Sequence, residues 1–600
     1  GTGGAIDPAK HTASDAVFVY SPKTVGQVKI GDYVEVTGKV SEFYEQTQVT
    51  VDEGKAAVLD DASVATVEPA KLAFPDNDAA RETLEGMLLA PQGEYTVTNN
   101  YDTNYYGQLG LAVGSTPLYN PTVKGKPGSA AYNAEVARAK AASVGLDDGS
   151  SLNFNAAANK GTELPYLSTK NPVRVGAKVT FTAPVIMDYR NSEWKFQPTQ
   201  QLTPANAATV QPATFQDTRT PAPAQVGGDI RLAGFNVLNY FTTLGTDLGG
   251  CKPYNDREGN GVTVGEGCNA RGAWDTAAFE RQQGKIVSAI NALGASVVSL
   301  EEIENNASVN GAQRDTALAQ LVKALNASPS LSGGEWAYVA SPAKLPAKED
   351  VIRTAFIYKK DAITAVGESS ILTDSADFGN ARQPLAQHFK ATGTDTDFVV
   401  IANHFKSKGD SSKNAAGDNK DLGDGVGSYN GDRTRQAKAL VAFADTVKTN
   451  AGTDKVFLIG DFNSYAAEDP IQAILDAGYV NQGAKSGKET YAYDGGIGSL
   501  DYVFASPSAD ALVTGVDEWN INSVESVALE YSRYNCSALN RFTEGPFRSS
   551  DHDPVVVGIK TKDAPASETK RLNLLNINDF HGRIDGNTTA FGLTVEQLKA

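Results

Sequence analysis

Acidic, amide and imidazole side chains follow short apolar runs at five places in the chain, and such groups can support metal-assisted chemistry on a phosphate. The runs are rich in Val, Ile and Phe, which is typical of buried strands. Polar groups at the ends of successive strands can meet at one edge of a sheet, where a metal ion and a phosphate can be held together. The five places are Glu301-Glu302, Asn403-His404, Asp461-Phe462-Asn463, Asp501-Tyr502 and Asp551-His552. Together they predict a metal-dependent phosphoesterase.

The roles of these residues follow from what phosphodiester hydrolysis requires. The reaction needs a water in line with the leaving oxygen, a base for that water, and positive charge on the phosphate oxygens. Glu302 and Asp551 carry carboxylates of the kind that bind Mg²⁺, Mn²⁺ or Ca²⁺. His552 can act as a general base or proton carrier near neutral pH, and Asp501 could orient its imidazole.

Three further groups could act on the water or the phosphate. Asp461 and Asn463 could align the water and donate to the phosphate, although the same pair could simply form an Asx-turn. His404 is followed by Lys406 and Lys408, which would bring cationic groups to the same edge. The alternatives are a hydrogen-bonded core histidine and a solvated basic loop.

Composition and charge limit the function classes. A chain of 600 residues exceeds a single core and predicts three or four domains. The net charge is −18, with 53 Lys and Arg against 71 Asp and Glu. Nucleic acid binding through the electrostatic field of the whole protein is therefore excluded. Binding of a phosphate would need a local basic patch or a divalent metal. No stretch is long and apolar enough for membrane insertion. The start at Gly1, without Met or a signal-peptide pattern, suggests a mature fragment.

Two of the three cysteines are expected to form a disulfide. Cys251 and Cys268 flank a glycine-rich loop that has little else to hold it. A bridge closing a loop of this size would contribute on the order of 3 kcal/mol. We expect this disulfide rather than two free thiols, given the secreted character of the chain. Cys536 has no obvious partner.

The first 228 residues predict an all-β region. Short strands are expected at 16–20, 32–40 and 47–51. The second alternates apolar and polar residues and resembles the first long strand of an OB-fold barrel. We expect an OB-like module at 1–75, truncated at its N-terminus, and a second, degenerate one at 80–205 with a helical insert near 130–144. The Pro-rich segment 206–228 resembles a linker. The aromatic residues Tyr20, Tyr33, Phe43 and Tyr44 are expected in the core of the first module, with base stacking as the alternative.

The pattern changes after the linker. From 229 to 560, strands alternate with amphipathic helices, such as 279–293 and 433–447, which predicts a layered α/β domain. A second linker is expected at 561–570. The run after it ends in Asp579-Phe580-His581, which places a carboxylate and an imidazole side by side as metal ligands. Residues 571–600 are too few to form a core around this pair.

The motifs of 229–560 resemble those of the endonuclease/exonuclease/phosphatase superfamily, which includes DNase I. The matching segments are Phe235-Asn236-Val237-Leu238-Asn239, Leu300-Glu301-Glu302, Asn403-His404, Gly460-Asp461-Phe462-Asn463, Leu500-Asp501-Tyr502 and Ser550-Asp551-His552-Asp553-Pro554. The resemblance implies all-β OB-like barrels followed by an α/β four-layer sandwich of the DNase I-like type.

The same resemblance implies roles for individual residues. It implies metal binding at Asn236, Glu302 and Asp551, and water and phosphate handling at Asp461 and Asn463. It also implies two carboxylate–histidine pairs, Asp501 with His552 and, on a looser local match, Asp350 with His404. Arg382 and Lys406 are weaker candidates for contact with the substrate.

The chain resembles one group of this superfamily in particular, the ExeM/NucH-type extracellular nucleases. Glu302-Ile303-Glu304-Asn305-Asn306 and Asn403-His404-Phe405-Lys406-Ser407-Lys408-Gly409 are similar to signatures of that group. Members carry OB-like modules before the nuclease, and some continue into a 5′-nucleotidase-like metallophosphatase, whose opening motif resembles Asn578-Asp579-Phe580-His581-Gly582-Arg583. The resemblance implies an extracellular bacterial endonuclease, secreted or anchored to the cell surface. It would use Mg²⁺ or Mn²⁺ on DNA, or also RNA, without an obligate protein partner.

Two other functions are compatible with the sequence. The same fold could act on a phospholipid or a small phosphoester, although a membrane-contacting aromatic hairpin is not evident. A nucleic-acid-binding surface module with a dead active site would require losses among Glu302, Asp461, Asp501, Asp551 and His552, and all five are present.

Overall fold

A computed structural model gives the fold of the chain. It describes residues 6–562, apart from 8–9, 61–65, 160, 257, 410–412 and 533–540. Cys536, nearly all of the expected linker 561–570 and the expected metal ligands Asp579 and His581 lie outside the described residues. Among the residues that are described, no helix combines the length and the apolar character needed to cross a bilayer.

The N-terminal module is a three-stranded sheet, as far as its residues are described. Its strands are β1 (Phe18–Tyr20), β2 (Tyr33–Phe43) and β3 (Gln46–Leu59), in the order β1-β3-β2. The three predicted strands are confirmed, but the expected burial of the aromatic residues is wrong. Their exposed fractions run from 43% at Tyr33 to 74% at Tyr44. The described strands form a three-stranded sheet of their own, and these four aromatic side chains belong to none of the apolar clusters of the described residues.

The second module is built on a larger sheet. Within the described residues nine strands pair in the order β13-β10-β6-β7-β9-β12-β11-β5-β4. No described pairing joins β13 to β4, so neither module is shown as a closed barrel and the OB-like architecture stays a prediction. The strands are β4 (Ala70–Ala73), β5 (Leu88–Gln92), β6 (Tyr95–Asn99), β7 (Leu109–Val113), β9 (Ser143–Leu146), β10 (Lys178–Phe181), β11 (Val185–Arg190), β12 (Glu193–Gln197) and β13 (Ala213–Phe215), with β8 (Leu118–Tyr119) in a separate small sheet.

Short helices connect these strands. The helical insert is confirmed as α4, which begins with Ser129 as its N-cap, the side chain accepting from the Tyr132 N–H. Part of the segment expected as a linker is structured, since β13 pairs with β10. The helices of this region are α1 (Asp78–Glu82), α2 (Thr103–Tyr106), α3 (Pro121–Lys124), α4 (Ala130–Ala142) and α5 (Ala207–Val210).

Two six-stranded sheets, counted over the described residues, form the centre of the remaining chain. The first has the order β18-β19-β17-β14-β29-β28 and the second β20-β21-β22-β23-β27-β24. Their strands, with a separate hairpin pair in each region, are β14 (Ile230–Tyr240), β15 (Lys252–Asn255), β16 (Gly261–Glu266), β17 (Val297–Glu304), β18 (Trp336–Tyr338), β19 (Ile352–Lys359), β20 (Ile363–Ile371), β21 (Arg382–Ala391), β22 (Asp397–His404), β23 (Val456–Asp461), β24 (Val480–Asn481), β25 (Tyr491–Tyr493), β26 (Gly496–Gly498), β27 (Asp501–Ala505), β28 (Val513–Glu518) and β29 (Val555–Ile559).

The two sheets pack face to face between layers of helices. In β14, Leu232 packs between the sheets whereas Phe235 packs toward α6 and α8, as the two-residue period of a strand requires. Helices α9 and α10 cover the second sheet. The predicted helices are confirmed as α6 and α9, each longer than expected by a few residues. The helices are α6 (Thr276–Leu293), α7 (Asn306–Val309), α8 (Thr316–Ala327), α9 (Asn430–Ala451), α10 (Asp469–Asp476) and α11 (Pro507–Asp510).

The second module and this sandwich are joined by direct pairing. Strand β26 pairs in parallel with β8, so the β25–β26 hairpin is shared between the two regions. Arg174 and Glu525, both nearly fully buried, form an ion pair of 2.8 Å across the same junction. The second module is therefore fixed against the end of the sandwich that carries the polar residues described next.

Candidate active site

One edge of the sheet pair collects the polar residues that the sequence singles out. Strands β14 and β17 run parallel and end there, as do β22 and β23, whereas β27 and β29 begin there. The polar residues lie at those ends: Asn236 on β14, Glu302 on β17, His404 closing β22, Asp461 closing β23, Asp501 opening β27, and Asp551-His552 just before β29.

A break in strand β17 positions Glu302. The register with both neighbouring strands shifts near Leu300 and Ile303, and Glu302 has a φ of 65°, in the left-handed region that a non-glycine residue rarely adopts. Its neighbour Glu301 stays fully buried, accepting from the Ser299 hydroxyl at 2.7 Å. Backbone strain of this kind concentrates at functional sites, where surrounding contacts hold it in place.

Gly460 permits the close approach of the strands that carry His404 and Asp461. Its φ is 136°, and a Cβ there would lie 2.1 Å from the Asn403 carbonyl oxygen and 2.9 Å from Glu301 Oε1. Any side chain would therefore push β22 and β23 apart. The glycine before Asp461 is required by this packing.

His552 and Asp501 form a buried pair. The imidazole Nδ1 donates to Asp501 Oδ2 at 2.8 Å, and the Thr490 hydroxyl donates to the same oxygen at 2.9 Å. The Thr490 hydroxyl oxygen also accepts from the backbone N–H of Leu500 and of Asp501, which fixes the start of β27. Because Nδ1 is occupied, Nε2 is the nitrogen that can exchange a proton with a reactant.

A network of amides and carboxylates surrounds the pair. Asn236 Nδ2 donates to Glu302 Oε1 at 3.2 Å and lies 3.5 Å from Asp461 Oδ2. The backbone N–H of Asn239 donates to Glu302 Oε2 at 2.8 Å. Asp461 accepts from the backbone N–H and the side-chain amide of Asn463, at 2.7 Å and 3.1 Å. The turn expected at Asp461 and Asn463 is thus present, and it holds both residues in the network.

Burial is the main influence on the pKa values of Glu302 and Asp461. Burial, with the negative charge of Asp551 next in size, raises the pKa of Glu302. Burial also raises the pKa of Asp461 to about 7; the charge of Asp501 adds to the shift, and those of His552 and Arg382 oppose it. These carboxylates therefore hold protons more tightly than exposed ones do, and a divalent cation bound beside them would take the place of those protons.

The pKa values of the two histidines of the site are shifted in opposite directions. Burial works against the charged form of His552, but Asp501, Asp461 and Asp551 outweigh it and hold the pKa of its imidazole well above the usual value. Burial, together with the positive charge of Arg382, holds the pKa of His404 well below the usual value. His404 Nε2 lies 3.4 Å from Asp461 Oδ2 and His552 Nε2 lies 3.9 Å from the same oxygen.

Two separate sets of residues are candidates for binding a divalent cation. Ligand atoms of Asp461, Asp501 and His552 all lie within 4.8 Å of one another. In that set, however, Asp501 Oδ2 already accepts two hydrogen bonds, and His552 favours the protonated form that cannot bind a metal. Asn236, Glu302 and Asp551 offer oxygen ligands, which suit Mg²⁺ and Mn²⁺ better.

The expected pair of His404 and Asp350 is not formed among the described contacts. Asp350 instead accepts from Arg271 at 3.2 Å and lies 4.0 Å from Arg382. The reason is position: Asp350 precedes β19 on the first sheet, and the carboxylate next to His404 comes from Asp461 on the adjacent strand β23. Arg382 is buried and donates to the Phe405 carbonyl at 2.7 Å.

The two lysines after His404 differ in their surroundings. The Lys406 ammonium lies 4.4 Å from the centre of the Tyr429 ring. Lys408 is buried and bonded to both carboxylate oxygens of Glu468, and burial lowers its pKa to about 8. Lys408 is therefore committed to a structural ion pair, whereas Lys406 donates to the Ser407 hydroxyl at 3.0 Å.

A cleft of about 680 Å³ opens beside the site, between the sandwich and the second module. Asp551, Asn239 and Arg271 line it on the sandwich side, and Asn99 to Asp102 line it from the second module. A cleft of this volume is large enough for one or two nucleotide-sized groups.

Sequence reasoning missed three contributors to this site. Thr490 supports Asp501, the Tyr491 ring lies 4.7 Å from the His552 imidazole, and Arg271 lines the cleft. The signal for the first two was the Asp494-Gly495 pair between Tyr-Ala-Tyr and Gly-Ile-Gly, which is a strong β-hairpin pattern. No comparable local signal points to Arg271.

Comparison with solved structures gives several distant similarities. An endonuclease/exonuclease/phosphatase family protein from Bacteroides thetaiotaomicron is 14% identical, with 55% of this chain and 96% of that chain covered and a TM-score of 0.34. The mannosyl-6-phosphatase Bt3783 of the same organism is 14% identical, with 55% and 99% covered and a TM-score of 0.34. The human Nocturnin catalytic domain with bound sulfate is 14% identical, with 57% and 95% covered and a TM-score of 0.32.

The family assignment rests on the sequence rather than on those structures. None of the curated proteins matches the chain. The profile of the Endonuclease/Exonuclease/phosphatase family matches residues 269–552, which include Glu302, His404, Asp461, Asp501 and His552. Residues 269–552 are therefore a domain of the Endonuclease/Exonuclease/phosphatase family, a family of nucleases and phosphatases that hydrolyse phosphoester bonds.

Proposed function

We propose that the protein is a divalent-metal-dependent endonuclease that hydrolyses the backbone of DNA, and also of RNA, with little sequence preference. The observation that carries the proposal is the buried His552–Asp501 pair beside carboxylates whose pKa values are raised by burial. A general base next to a cation site is what hydrolysis of a phosphodiester requires.

Asn236, Glu302 and Asp551 would hold the cation, which we propose to be Mg²⁺ or Mn²⁺, with Ca²⁺ as a weaker candidate. When bound, the cation would supply positive charge to the phosphate and its leaving oxygen, and would neutralise carboxylates that hold the pKa of His552 high. His552 would then accept a proton from the attacking water at Nε2, with Asp501 stabilising the imidazolium at Nδ1.

Groups on the second sheet would receive the phosphate. His404 favours the neutral form, in which one ring nitrogen can donate a hydrogen bond to a phosphate oxygen. Asn463 is held beside Asp461 with a φ of 47°, and the buried guanidinium of Arg382 lies close enough to influence both Glu302 and Asp461. These residues would orient and stabilise the phosphate, while the proton of the attacking water would go to His552.

A polynucleotide suits the surroundings of the site better than a lipid does. The β25–β26 hairpin carries the exposed Tyr493, but its turn consists of Asp494 and Gly495. The Gly495 carbonyl accepts from the Thr98 hydroxyl of the second module at 2.6 Å, so the turn packs on protein. A hairpin that inserts into a membrane would instead present an apolar tip to solvent.

We further propose an extracellular location, of the ExeM/NucH type. The disulfide between Cys251 and Cys268 supports it, because disulfides persist in oxidising compartments. The motif at Asp579 and His581 supports a metallophosphatase segment after the nuclease. Such a protein would cut nucleic acid and then remove phosphate from the products, and nothing in the site requires a second protein.

A panel of substrates tests this proposal. Supercoiled plasmid, single-stranded RNA, sphingomyelin vesicles and a sugar phosphate are each incubated with the protein and Mn²⁺ or EDTA. We expect plasmid and RNA to be cut only with the metal. Release of phosphocholine or inorganic phosphate without cutting of either nucleic acid would overturn the endonuclease function and favour a lipid or small phosphoester.

A further inference from the structure

A row of aromatic rings leads from the proposed general base to the outside of the protein. The Tyr491 ring centre lies 4.7 Å from that of the His552 imidazole. The Tyr493 ring stacks on Tyr491, with centres 6.5 Å apart and planes inclined by 13°. Tyr493 is 69% exposed. The last ring of the row therefore presents surface to the cleft that also contains Asp551.

The second module supplies another aromatic wall of the same cleft. Tyr101 lines it and is 48% exposed, and its ring centre lies 5.5 Å from that of Tyr105. Asn99, Asn100 and Asp102 line the cleft beside it. This wall is formed by the turn between β6 and α2, in a part of the chain with no role in the hydrolytic chemistry described above.

The two walls are held rigidly with respect to each other. The turn at Asp494 and Gly495 has φ values of 48° and 76°, as expected for a tight two-residue hairpin. Strand β26 of this hairpin pairs with β8, and Thr98 bonds to Gly495 as noted above. The cleft is therefore formed before any ligand arrives, which reduces the entropy lost on binding.

Charges of both signs line the cleft, with Arg271 and Arg548 on the sandwich side and the carboxylates of Asp102 and Asp494 beside the aromatic rings. Asp102 and Asp494 lie on opposite walls, close enough that Asp494 adds to the effect of burial in raising the pKa of Asp102. Carboxylates repel phosphates, but they accept hydrogen bonds from the amino groups of bases. Exposed tyrosine rings provide the stacking surface that unpaired bases use in proteins that bind single strands.

We propose that this cleft binds an unpaired nucleobase of a single-stranded nucleic acid, adjacent to the phosphate at Asp551 and His552. The base stacks on Tyr493 and Tyr101, and its edge meets Asp102 and Asn99. The inference rests on the proposed function, whose substrate class it narrows. It makes the second module part of the substrate site and gives single strands an advantage over duplexes, in which the bases are not available for stacking.

Binding measured in EDTA tests the inference apart from catalysis. Fluorescence anisotropy gives the Kd for a labelled DNA single strand of about 12 nucleotides, a length that spans a typical single-strand site. We expect Tyr493→Ala to raise this Kd by about 5- to 150-fold, since stacking on one aromatic residue has this magnitude. Tyr493→Phe, which keeps the ring, should stay within about twofold of the unsubstituted protein.

Two controls separate base stacking from other effects. The first is an abasic strand of the same length, for which Tyr493→Ala should not change the Kd. The second is Tyr106→Ala, which removes a tyrosine that is 52% exposed but does not line the cleft, and which should not change the Kd for the ordinary strand. Thermal unfolding verifies that each variant is folded.

The results discriminate between this inference and the proposed function. An unchanged Kd for Tyr493→Ala, an equal loss on the abasic strand, or an equal loss with Tyr106→Ala would each overturn the nucleobase cleft. A protein that shows the expected Kd changes but cuts no nucleic acid with Mn²⁺ would keep the cleft and lose the endonuclease. A protein that cuts single strands, but whose Kd is unchanged by Tyr493→Ala, would keep the endonuclease function and lose the nucleobase cleft.

Discussion

Replacing Asp501 by Asn tests the His552–Asp501 pair with little change in shape. In the wild type, Asp501 Oδ2 accepts from His552 Nδ1 at 2.8 Å. At an effective dielectric constant of about 20, an imidazolium and a carboxylate at this distance attract each other by about 6 kcal/mol. Burial of the imidazolium cancels part of this attraction. The carboxamide can also donate to Nδ1, which would place the imidazole proton on Nε2 and remove the base.

We therefore expect kcat for a fluorescent oligonucleotide with Mn²⁺ to fall by about 10²- to 10⁴-fold, the usual contribution of a general base. This range corresponds to about 3 to 5 kcal/mol in the activation barrier.

The matched control is Asp397→Asn. Asp397 accepts from His388 Nε2 at 2.9 Å, in a similar carboxylate–histidine pair. Asp397 is the first residue of β22 and His404 is the last, so this pair lies at the opposite end of the strand from the site. We expect kcat of this variant to stay within about twofold of the wild type, since surface pairs contribute little. A kcat for a folded Asp501→Asn within about threefold of wild type would refute the role of Asp501, because a general base contributes far more.

Three further predictions concern stability and its link to the site. Arg174→Met should lower the free energy of unfolding by about 3 kcal/mol or more, because it leaves Glu525 buried with one partner fewer. Urea unfolding of this variant, of Glu525→Gln and of the double variant measures the interaction energy between the two side chains. Losses that simply add in the double variant would contradict this interaction. Reduction of the Cys251–Cys268 bond, which closes 17 positions of chain, should lower the free energy of unfolding by about 3 kcal/mol; equal urea midpoints with and without dithiothreitol would be inconsistent with this. Asp461, with a folded pKa of about 7, keeps a proton that the unfolded chain releases near pH 4, so stability in EDTA should fall as pH rises between about 4 and 7. Asp461→Asn should reduce that fall, and an unchanged pH profile would refute the assignment.

The positions of the site residues at strand ends followed from the sequence. Apolar runs before Glu301, Asn403 and Asp461 predicted strands that are confirmed as β17, β22 and β23, although each strand extends into the polar residues that follow the run. The polar groups meet at one edge because the parallel strands end together. The pair of Asp501 and His552 was also expected, and the structure places the two residues in contact.

Other features depend on contacts between distant segments, which local patterns do not encode. The left-handed backbone at Glu302 is imposed by the shift in register with both neighbouring strands. The pairing of β26 with β8 joins segments nearly 380 residues apart. Arg271 reaches the cleft from an irregular segment whose composition is typical of surface loops. Such features follow from tertiary packing rather than from propensity.

The most direct test of the central claim is plasmid nicking by the wild type and by His552→Ala, each with Mg²⁺, with Mn²⁺ and with EDTA. We predict nicking by the wild type with either metal, none in EDTA, and a loss of at least about 10²-fold in the variant, as for removal of a general base. Nicking that persists in folded His552→Ala at the wild-type rate, or that is insensitive to EDTA, would contradict the proposed active site.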